Sequence, residues 1–419
     1  MAFCALALVS CSTDESVTST TTVASSAATV VDQPATDWLA DLDALDAGVR
    51  RIHPNPFWRV SEAEWNSRLA EARVMLPTLD KRHAEFLMLE LTSLIDGHSG
   101  IYPNTLGYRL YAVWLYHFSD GYFVIDAADA SAVGGKLVAI NGVPVDEIAR
   151  RLSPVVPHDN DQTVQFLLPM YMITPELLQG ADIITDLEKP TLDIVRVDGS
   201  HLALNPDILD FNEYPLRFKA FPVGLPQAAV PLSQSRIDEA FWWTTIDDVL
   251  YFQYNQVRKS SGGQSLISVA ADLRERLKVG DVRRVVVDMR QNSGGNNQSY
   301  GPLLRLLLDP LVDRPGGLYI IIGRQTFSAA TNFVTELDVQ STSAVFVGEP
   351  TGGRPNLYGD TKPLLLPSSG ITVQVSGRYW EFGGPNDTRS SIAPDIPIGL
   401  SSVDYFAGID PILQAAISD

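Results

Sequence analysis

Cysteine is almost absent from this sequence. Cys4 and Cys11 are the only two cysteines among 419 residues. The chain after Cys11 therefore cannot form a disulfide, a thiolate metal site or a cysteine nucleophile. The sequence also lacks a His-Glu-x-x-His motif and a calcium-binding loop, so no pattern indicates a metal site. We expect a protein that works without a metal or another cofactor.

Positive charge is scarce as well. The chain has 31 Lys and Arg against 50 Asp and Glu, which gives a formal net charge of −19. Such a surface repels nucleic acid and anionic membranes, so we exclude both as main ligands. A chain of this length is sufficient for two or three domains.

The first 35 residues differ from the rest. A short apolar stretch ends in "LVSC" and is followed by a tract rich in Ser and Thr. The stretch is too short to span a bilayer and is typical of a signal peptide, with the Ser/Thr tract as a tether. "LVSC" resembles the bacterial lipobox, which would make Cys11 the lipidated residue. We expect an exported, lipid-anchored protein of the bacterial cell envelope; an ordinary secretion signal or a disordered N-terminus is the alternative.

Residues 36–103 have a helical pattern. In "DWLADLDALDAGVRRIH", Trp38, Leu42, Leu45 and Val49 lie on one face. Ser61 and Glu64 have the spacing of a capping box at the start of a second helix. The sequence therefore predicts a small helical module at this end of the chain.

Residues 104–206 have a shorter, strand-like period with glycine turns. "GGKLVAINGVPVDEIARRL" resembles the core of a PDZ domain, in which a strand and an Asn-Gly turn precede a helix. PDZ domains bind peptides by strand addition. The alternative is any small β unit with an Asn-Gly hairpin. Residues 207–240 are the expected connector to the next domain.

Residues 241–419 alternate between apolar strands and helical segments. Continuous apolar strands joined by helices predict an α/β domain whose sheet is covered by helices.

Ser328 lies at the predicted start of a helix, directly after the strand "LYIII" and a short polar loop. Free N–H groups and the helix dipole favour negative charge at this position, which suits a nucleophile and the oxyanion that it creates. The N–H of Ala329 could point at that oxyanion. Taken alone, a helix cap by Ser328 or Thr326 is the simpler interpretation.

Gly294 and Gly295 follow the strand "RRVVVDM". Paired glycines after a strand let the backbone approach a ligand closely, and their N–H groups could complete an oxyanion hole. The alternative is a glycine turn before a helix.

His98 follows the turn-forming Asp96-Gly97 in "DGHSG". A histidine with an ordinary pKa can accept a proton from serine at neutral pH, so His98 is the candidate general base. The alternative is a solvated histidine in a loop.

Four segments, "DGHSG", "VVVDMRQNSGGN", "GRQTFSAATNF" and "GEPTGG", occur in this order, and "SIAPDIPI" follows near the end. Together they resemble the C-terminal processing (tail-specific) peptidases and the tricorn core protease. This resemblance implies a crotonase-like ββα serine peptidase domain, preceded by a PDZ-like domain and helices.

The family has two catalytic types. One uses a lysine base in a Gly-Lys-Gly loop, where this chain has Arg354, which stays protonated and cannot act as a base. The other uses a histidine, which His98 would supply; Gly97 stands where that type has a relaying serine, and Ser99 follows. The resemblance places the orienting acid at Asp387 or Glu381.

We therefore expect a serine endopeptidase that hydrolyses exported or unfolded proteins and peptides. The alternative is a weakly active or inactive binding protein of the same fold, which carries a peptide or an apolar ligand. The sequence does not indicate an oligomeric state.

Overall fold

The computed structural model describes residues 36–214 and 230–418. The predicted signal and tether of residues 1–35, with Cys11, lie outside the described residues, as does part of the predicted connector. Within the described ranges, no helix is both long enough and apolar enough to cross a membrane.

Three helices form the N-terminal module: α1 (Trp38–Ile52), α2 (Glu62–Met75) and α3 (Lys81–Ser93). The predicted apolar face of α1 is buried at Trp38, Leu42, Leu45 and Val49. The Ser61 hydroxyl accepts a hydrogen bond of 3.1 Å from the Glu64 N–H, which fixes the start of α2.

An antiparallel sheet with three helices follows. Its elements and their neighbours are β1 (Arg109–Tyr111), β2 (Val113–Phe118), β3 (Gly121–Ala127), β4 (Lys136–Ile140), β5 (Val143–Pro144), α4 (Val145–Leu152), α5 (Asp161–Tyr171), α6 (Pro175–Gly180), β6 (Leu192–Val195), β7 (His201–Leu204) and β8 (Ile208–Asp210). The strand order is β2-β3-β4-β6-β7, with β5 beside β4, while β1 pairs with β8. Asn141 and Gly142 turn between β4 and β5 with φ of 50° and 76°. The strand-turn-helix order predicted for this segment is present, whereas α5 and α6 were not predicted.

The second large sheet lies in the C-terminal half. Its region comprises β9 (Phe241–Ile246), β10 (Val249–Tyr254), β11 (Ser260–Ser261), β12 (Gln264–Ser265), α7 (Leu266–Lys278), β13 (Arg284–Asp288), α8 (Gly301–Leu307), β14 (Leu318–Ile322), α9 (Ala329–Gln340) and β15 (Val345–Gly348). Strands β10, β13, β14 and β15 are parallel neighbours, and β9 is antiparallel to β10. The predicted strands and helices are therefore confirmed as a mixed α/β fold.

A long hairpin and two short helices complete the chain: β16 (Asn356–Leu365), β17 (Thr372–Glu381), β18 (Ile396–Pro397), α10 (Ser402–Phe406) and α11 (Pro411–Ser418). The β16–β17 hairpin packs on the N-terminal helices, because Leu364, Val373 and Val375 share one apolar core with Leu45 and Leu89. Part of the C-terminal segment thus contributes to the core of the N-terminal half. The hairpin also pairs with the loop after α3, through backbone hydrogen bonds between Gly100 and Gln374.

Candidate active site

The turn between β14 and α9 holds Ser328 in an unusual conformation. Ser328 is the residue before the first turn of α9, with φ 54° and ψ −128°, and its side chain makes no capping hydrogen bond. The Thr326 hydroxyl donates to the Met289 carbonyl at 2.9 Å and accepts from the Gly323 N–H at 3.0 Å. Neither hydroxyl therefore caps the helix, and the simpler interpretation of Ser328 is not supported.

This backbone conformation is costly for a serine. Positive φ at a residue with a Cβ atom costs about 1–3 kcal/mol and is retained only where the surroundings enforce it. A sharp strand-to-helix turn also holds the nucleophile of α/β-hydrolases in an exposed, strained position. The half-buried Ser328 side chain is thus free of a structural hydrogen-bonding role and available for chemistry.

The paired glycines lie against this turn. A Cβ atom on Gly294, whose φ is 107°, would lie 2.7 Å from the Ser328 Cβ. A Cβ atom on Gly295, whose φ is 143°, would lie 2.2 Å from the Val257 carbonyl oxygen. Both positions require glycine because of close backbone approach as well as positive φ.

The N–H groups of the two glycines differ. The Gly294 N–H donates to the Asn292 side-chain oxygen at 2.9 Å, so it is engaged and does not serve as an oxyanion donor. Among the described residues, the N–H groups of Gly295 and Ala329 have no hydrogen-bond acceptor. The structure therefore corrects the expectation for Gly294 and leaves Gly295 and Ala329 as the candidate donors.

His98 contacts the turn that carries Ser328 through an aromatic stack. Its ring stacks on Phe327, with 4.3 Å between centroids and 20° between planes. The side chain is buried, and neither ring nitrogen has a hydrogen-bond partner among the described residues. Burial lowers the pKa of His98 to about 4, although the charge of Asp96 raises it. His98 is consequently neutral at neutral pH and able to accept a proton.

Asp96 fixes the loop that carries His98, and sequence reasoning treated it only as a turn residue. One carboxylate oxygen accepts from the N–H groups of His98 and Ser99, at 2.6 and 2.7 Å. The other is bonded to the Ser99 hydroxyl at 2.7 Å and lies 2.8 Å from the His53 ring nitrogen. Burial raises the pKa of Asp96, but the contact with His53, the nearby His98 and the hydrogen bond from the Ser99 hydroxyl together outweigh burial, so the pKa lies below its ordinary value.

The β16–β17 hairpin holds the other side of the same loop. Gly100 and Gln374 exchange two backbone hydrogen bonds of 2.9 Å each. The Ser376 hydroxyl donates to Asp96 at 3.0 Å, and its N–H donates to the Ser99 hydroxyl at 2.9 Å. Ser99 is thus used within this network. The hairpin fixes the main chain on both sides of His98 while its ring stays unbonded.

Asp159 is a second buried carboxyl group near this loop. One oxygen accepts the Gly97 N–H at 3.1 Å, and the other has no partner among the described residues. Burial, followed by the charge of Asp96, raises the pKa of Asp159 to about 7. The sequence motif includes Asp96, Gly97 and His98 but gives no sign of Asp159, because the contact between Gly97 and Asp159 depends on the fold.

The two predicted orienting acids are not brought to His98. The Asp387 carboxylate is bonded to Arg389, with an Nη2–Oδ2 distance of 2.7 Å, and Arg389 also pairs with Asp338 at 2.6 Å. The hydrogen bond from Arg389 is the main reason that the pKa of Asp387 is lowered. Glu381 is exposed at the end of β17. In this structure, neither carboxylate makes a hydrogen bond to His98.

A cavity of about 1020 Å³ opens beside these groups. His98, Ser328, Gly294 and Gly295 all line it. Its other walls come from β2, from α5 and from the segment after β10. Within the described ranges, no group of three His, Cys, Asp or Glu residues could hold a metal ion. The predicted base, nucleophile and glycines therefore share one cavity between the two sheets.

Solved structures share this architecture. A mutant of CPAF superposes with a TM-score of 0.63 and 13% identity, covering 91% of this chain and 98% of that one. Mature CPAF complexed with lactacystin gives a TM-score of 0.62 and 15% identity, covering 89% and 95%. This chain has the CPAF fold. No protein-family model matches the sequence, and the search of curated protein sequences found no match.

The structural neighbours also include proteases that match at lower similarity. Besides CPAF they include the photosystem II D1 C-terminal processing protease, with a TM-score of 0.40 and 14% identity over 86% of this chain and 92% of that one. The tricorn protease is a further neighbour. At 13–15% identity the match to CPAF establishes the fold alone.

Proposed function

We propose that this protein is a serine peptidase in which Ser328 is the nucleophile and His98 the general base. The observation that carries the proposal is the buried, unbonded His98 ring, which stacks on the residue before Ser328 and lines the same cavity. Unpartnered buried polar atoms are costly, and a functional site is where they are tolerated. The strained, uncapped Ser328 points to the same conclusion.

The reaction follows from the positions of these groups. Ser328 Oγ attacks the peptide carbonyl carbon while a ring nitrogen of His98 takes the hydroxyl proton. The N–H groups of Gly295 and Ala329 stabilise the oxyanion. His98 then gives the proton to the leaving amine, and the C–N bond breaks. Water then attacks the acyl-enzyme carbonyl carbon while His98 takes a proton from the water. The C–O bond to Ser328 breaks, His98 returns the proton to Ser328 Oγ, and the carboxylic acid leaves.

The negative charge that supports protonated His98 comes from Asp96 in this proposal. Asp96 is buried and accepts a hydrogen bond from the main-chain N–H of His98, and its negative charge favours the protonated imidazole ring. Asp387 or Glu381 would orient the ring directly only after the local structure changes. For Asp387 this means breaking its contact with Arg389.

The domain assignments remain part of the proposal. We assign residues 36–103 to the helical module, 104–206 to a PDZ-like domain and 241–419 to a crotonase-like peptidase domain. The peptide specificity that a PDZ-like domain would confer, the export to the cell envelope and the lipid anchor at Cys11 belong to the same proposal. Substrates would be exported or unfolded proteins and peptides.

The direct test uses a serine-directed fluorophosphonate and an unfolded protein substrate. The wild-type protein should be labelled at Ser328 and should cleave the substrate. Ser328→Ala should abolish labelling and lower kcat by about 10³-fold or more. Ser341→Ala is the matched control, because Ser341 ends the same helix and its hydroxyl bonds to Asp313. Equal labelling of the wild type and Ser328→Ala would refute the assignment.

A binding protein of the same fold is the second candidate. The cavity supports it, because apolar side chains such as Phe166, Met170 and Tyr405 contribute to its lining. An apolar ligand that copurifies with the protein and stays bound in Ser328→Ala, together with no labelling of the wild type, would favour this function. Labelling and cleavage that depend on Ser328 would exclude it as the main role.

A further inference from the structure

Arg324 is a buried cation in residues 323–328, the turn that ends in the proposed nucleophile Ser328 and is called the nucleophile turn below. The proposed chemistry does not use Arg324. Its side chain is 8% exposed, and that of its partner Glu349 is 19% exposed. The Arg324 Nε donates to one Glu349 oxygen at 2.9 Å, and Nη2 donates to the other. This two-pronged pairing leaves one nitrogen, Nη1, for a different partner.

That partner is the first sheet. Arg324 Nη1 donates to the His117 carbonyl at 2.9 Å and lies 3.3 Å from the His117 Nδ1. Burial, followed by the charge of Arg324, lowers the pKa of His117 to about 4, so the ring is neutral and can accept from the guanidinium. A single side chain therefore connects the nucleophile turn with strand β2.

Strand β2 is the outermost strand of its sheet. Two of its carbonyl groups accept hydrogen bonds from side chains outside the sheet. His117 accepts from Arg324, and Val113 accepts from the Tyr214 hydroxyl at 2.8 Å. An edge strand with occupied carbonyl groups is a poor template for an added peptide strand. The edge serves as an anchor for the nucleophile turn instead.

We propose that Arg324 is a positioning residue, which places Ser328 by anchoring the nucleophile turn to the His117 carbonyl of β2. The inference rests on the proposed peptidase function. It makes the first sheet part of the catalytic apparatus, because Ser328 keeps its strained conformation only where neighbouring contacts enforce it. Any movement of β2 would then change the rate of the chemical step.

The geometry requires arginine at this position. A planar guanidinium can bond to both Glu349 oxygens and to the His117 carbonyl together, whereas a lysine ammonium is a compact charge on a flexible stem. Arg324→Lys therefore retains the charge beside Glu349 and loses the simultaneous bond to β2. We expect kcat to fall by about tenfold or more, with KM within about twofold, because small displacements of catalytic groups are costly.

The matched control is Arg284→Lys. Arg284 is also buried and also donates to backbone carbonyls, those of Gly316 and Ala416, but it lies at the start of β13, away from the nucleophile turn. Both variants should lose similar stability, as measured by thermal unfolding. Only Arg324→Lys should lose kcat and the rate of fluorophosphonate labelling per folded molecule. Equal losses of kcat and of labelling rate in the two variants would show that Arg324 has only a structural role, and would overturn the proposal.

Hydrogen exchange supplies a readout that does not depend on activity. In Arg324→Lys, amides of residues 323–330 and of β2 should exchange faster, and those of β13 should not. Unchanged exchange in both segments would refute the anchor. If the wild type lacks labelling at Ser328 while the exchange result holds, the peptidase function fails and the anchor stands.

Discussion

The ring of His98 lies flat on the ring of Phe327, with centroids 4.3 Å apart. The candidate base and the residue that precedes the candidate nucleophile are therefore in direct contact, although they are far apart in the sequence. Since neither ring nitrogen of His98 is bonded to a described residue, packing that includes this stack, and not a hydrogen bond, orients the imidazole towards the nucleophile turn.

Loss of the stack should slow catalysis. A stacked aromatic pair contributes about 1 kcal/mol, so Phe327→Leu should lower kcat by roughly fivefold to tenfold. The control is Phe241→Leu, which removes a ring stacked on Phe252 at 6.3 Å, outside the active site. Steady-state kinetics on both variants would test the orienting role, which an unchanged kcat in Phe327→Leu would contradict.

Gly294 should not tolerate a side chain. A Cβ atom there has positive φ and meets Ser328, whereas a Cβ atom on Gly142, with φ of 76°, meets nothing within 4 Å. Gly142→Ala thus measures backbone strain alone, about 1 kcal/mol. Gly294→Ala should cost about 1–3 kcal/mol more through overpacking and should greatly slow fluorophosphonate labelling. Urea unfolding and labelling rates would show this, and equal effects of the two changes would contradict it.

Asp96 should matter more for catalysis than Asp387. Asp96→Asn removes the buried charge that favours protonated His98, so we expect kcat to fall by about 10²-fold or more. Asp387→Asn breaks a contact with Arg389 and should change kcat by less than about threefold.

The control for Asp96→Asn is Asp41→Asn. Asp41 is equally buried and accepts the N–H groups of Ser368 and Ser369, away from His98. Kinetics on folded fractions would separate stability from catalysis. If Asp387→Asn or Glu381→Gln abolished activity while Asp96→Asn matched Asp41→Asn, the orienting acid would be the one that the family resemblance indicated.

Asp159 should reduce stability at neutral pH. Its pKa is about 7 in the folded protein and near 3.8 in the unfolded chain. As pH rises above about 4, Asp159 loses its proton in the unfolded chain but keeps it in the folded protein. The free energy of unfolding therefore falls between about pH 4 and pH 7. Asp159→Asn keeps an oxygen for the Gly97 N–H and lacks this loss.

The free energy of unfolding should therefore be similar for both proteins near pH 4. At pH 8 it should be higher for Asp159→Asn, by up to about 4 kcal/mol. Titration of His98 acts in the opposite direction but is common to both proteins, so it largely cancels from the difference. Urea unfolding at pH 4.5, 6 and 8 measures this difference. A difference that did not grow with pH would show that Asp159 is ionised in the folded protein.

Several elements could be predicted from local sequence because their signals are local. The apolar spacing of α1, the Ser61 cap and the Asn141-Gly142 turn depend on residues a few positions apart. The alternation of apolar strands and helices in the C-terminal half likewise identified the α/β fold.

Other elements escaped prediction for physical reasons. Helix α5 contains Pro169, which argues against a helix in sequence. Hairpin β16–β17 has Pro363 within β16, and its packing on the N-terminal helices is a long-range contact. The family resemblance suggested Asp387 as an orienting acid. Its hydrogen bond to Arg389 depends on side-chain conformations, which the sequence does not specify.

The available groups follow from residue type and local order alone: one serine before a helix of small residues, a glycine pair, and a histidine after Asp96-Gly97. The sequence also excluded cysteine chemistry from the chain beyond Cys11. Only the folded chain shows that Ser328 is strained and uncapped, that the Gly294 N–H is engaged by Asn292, and that Asp96 is the carboxylate bound to the His98 loop. Residue type sets the available chemistry, whereas hydrogen-bond partners and burial depend on contacts between segments that are distant in the chain.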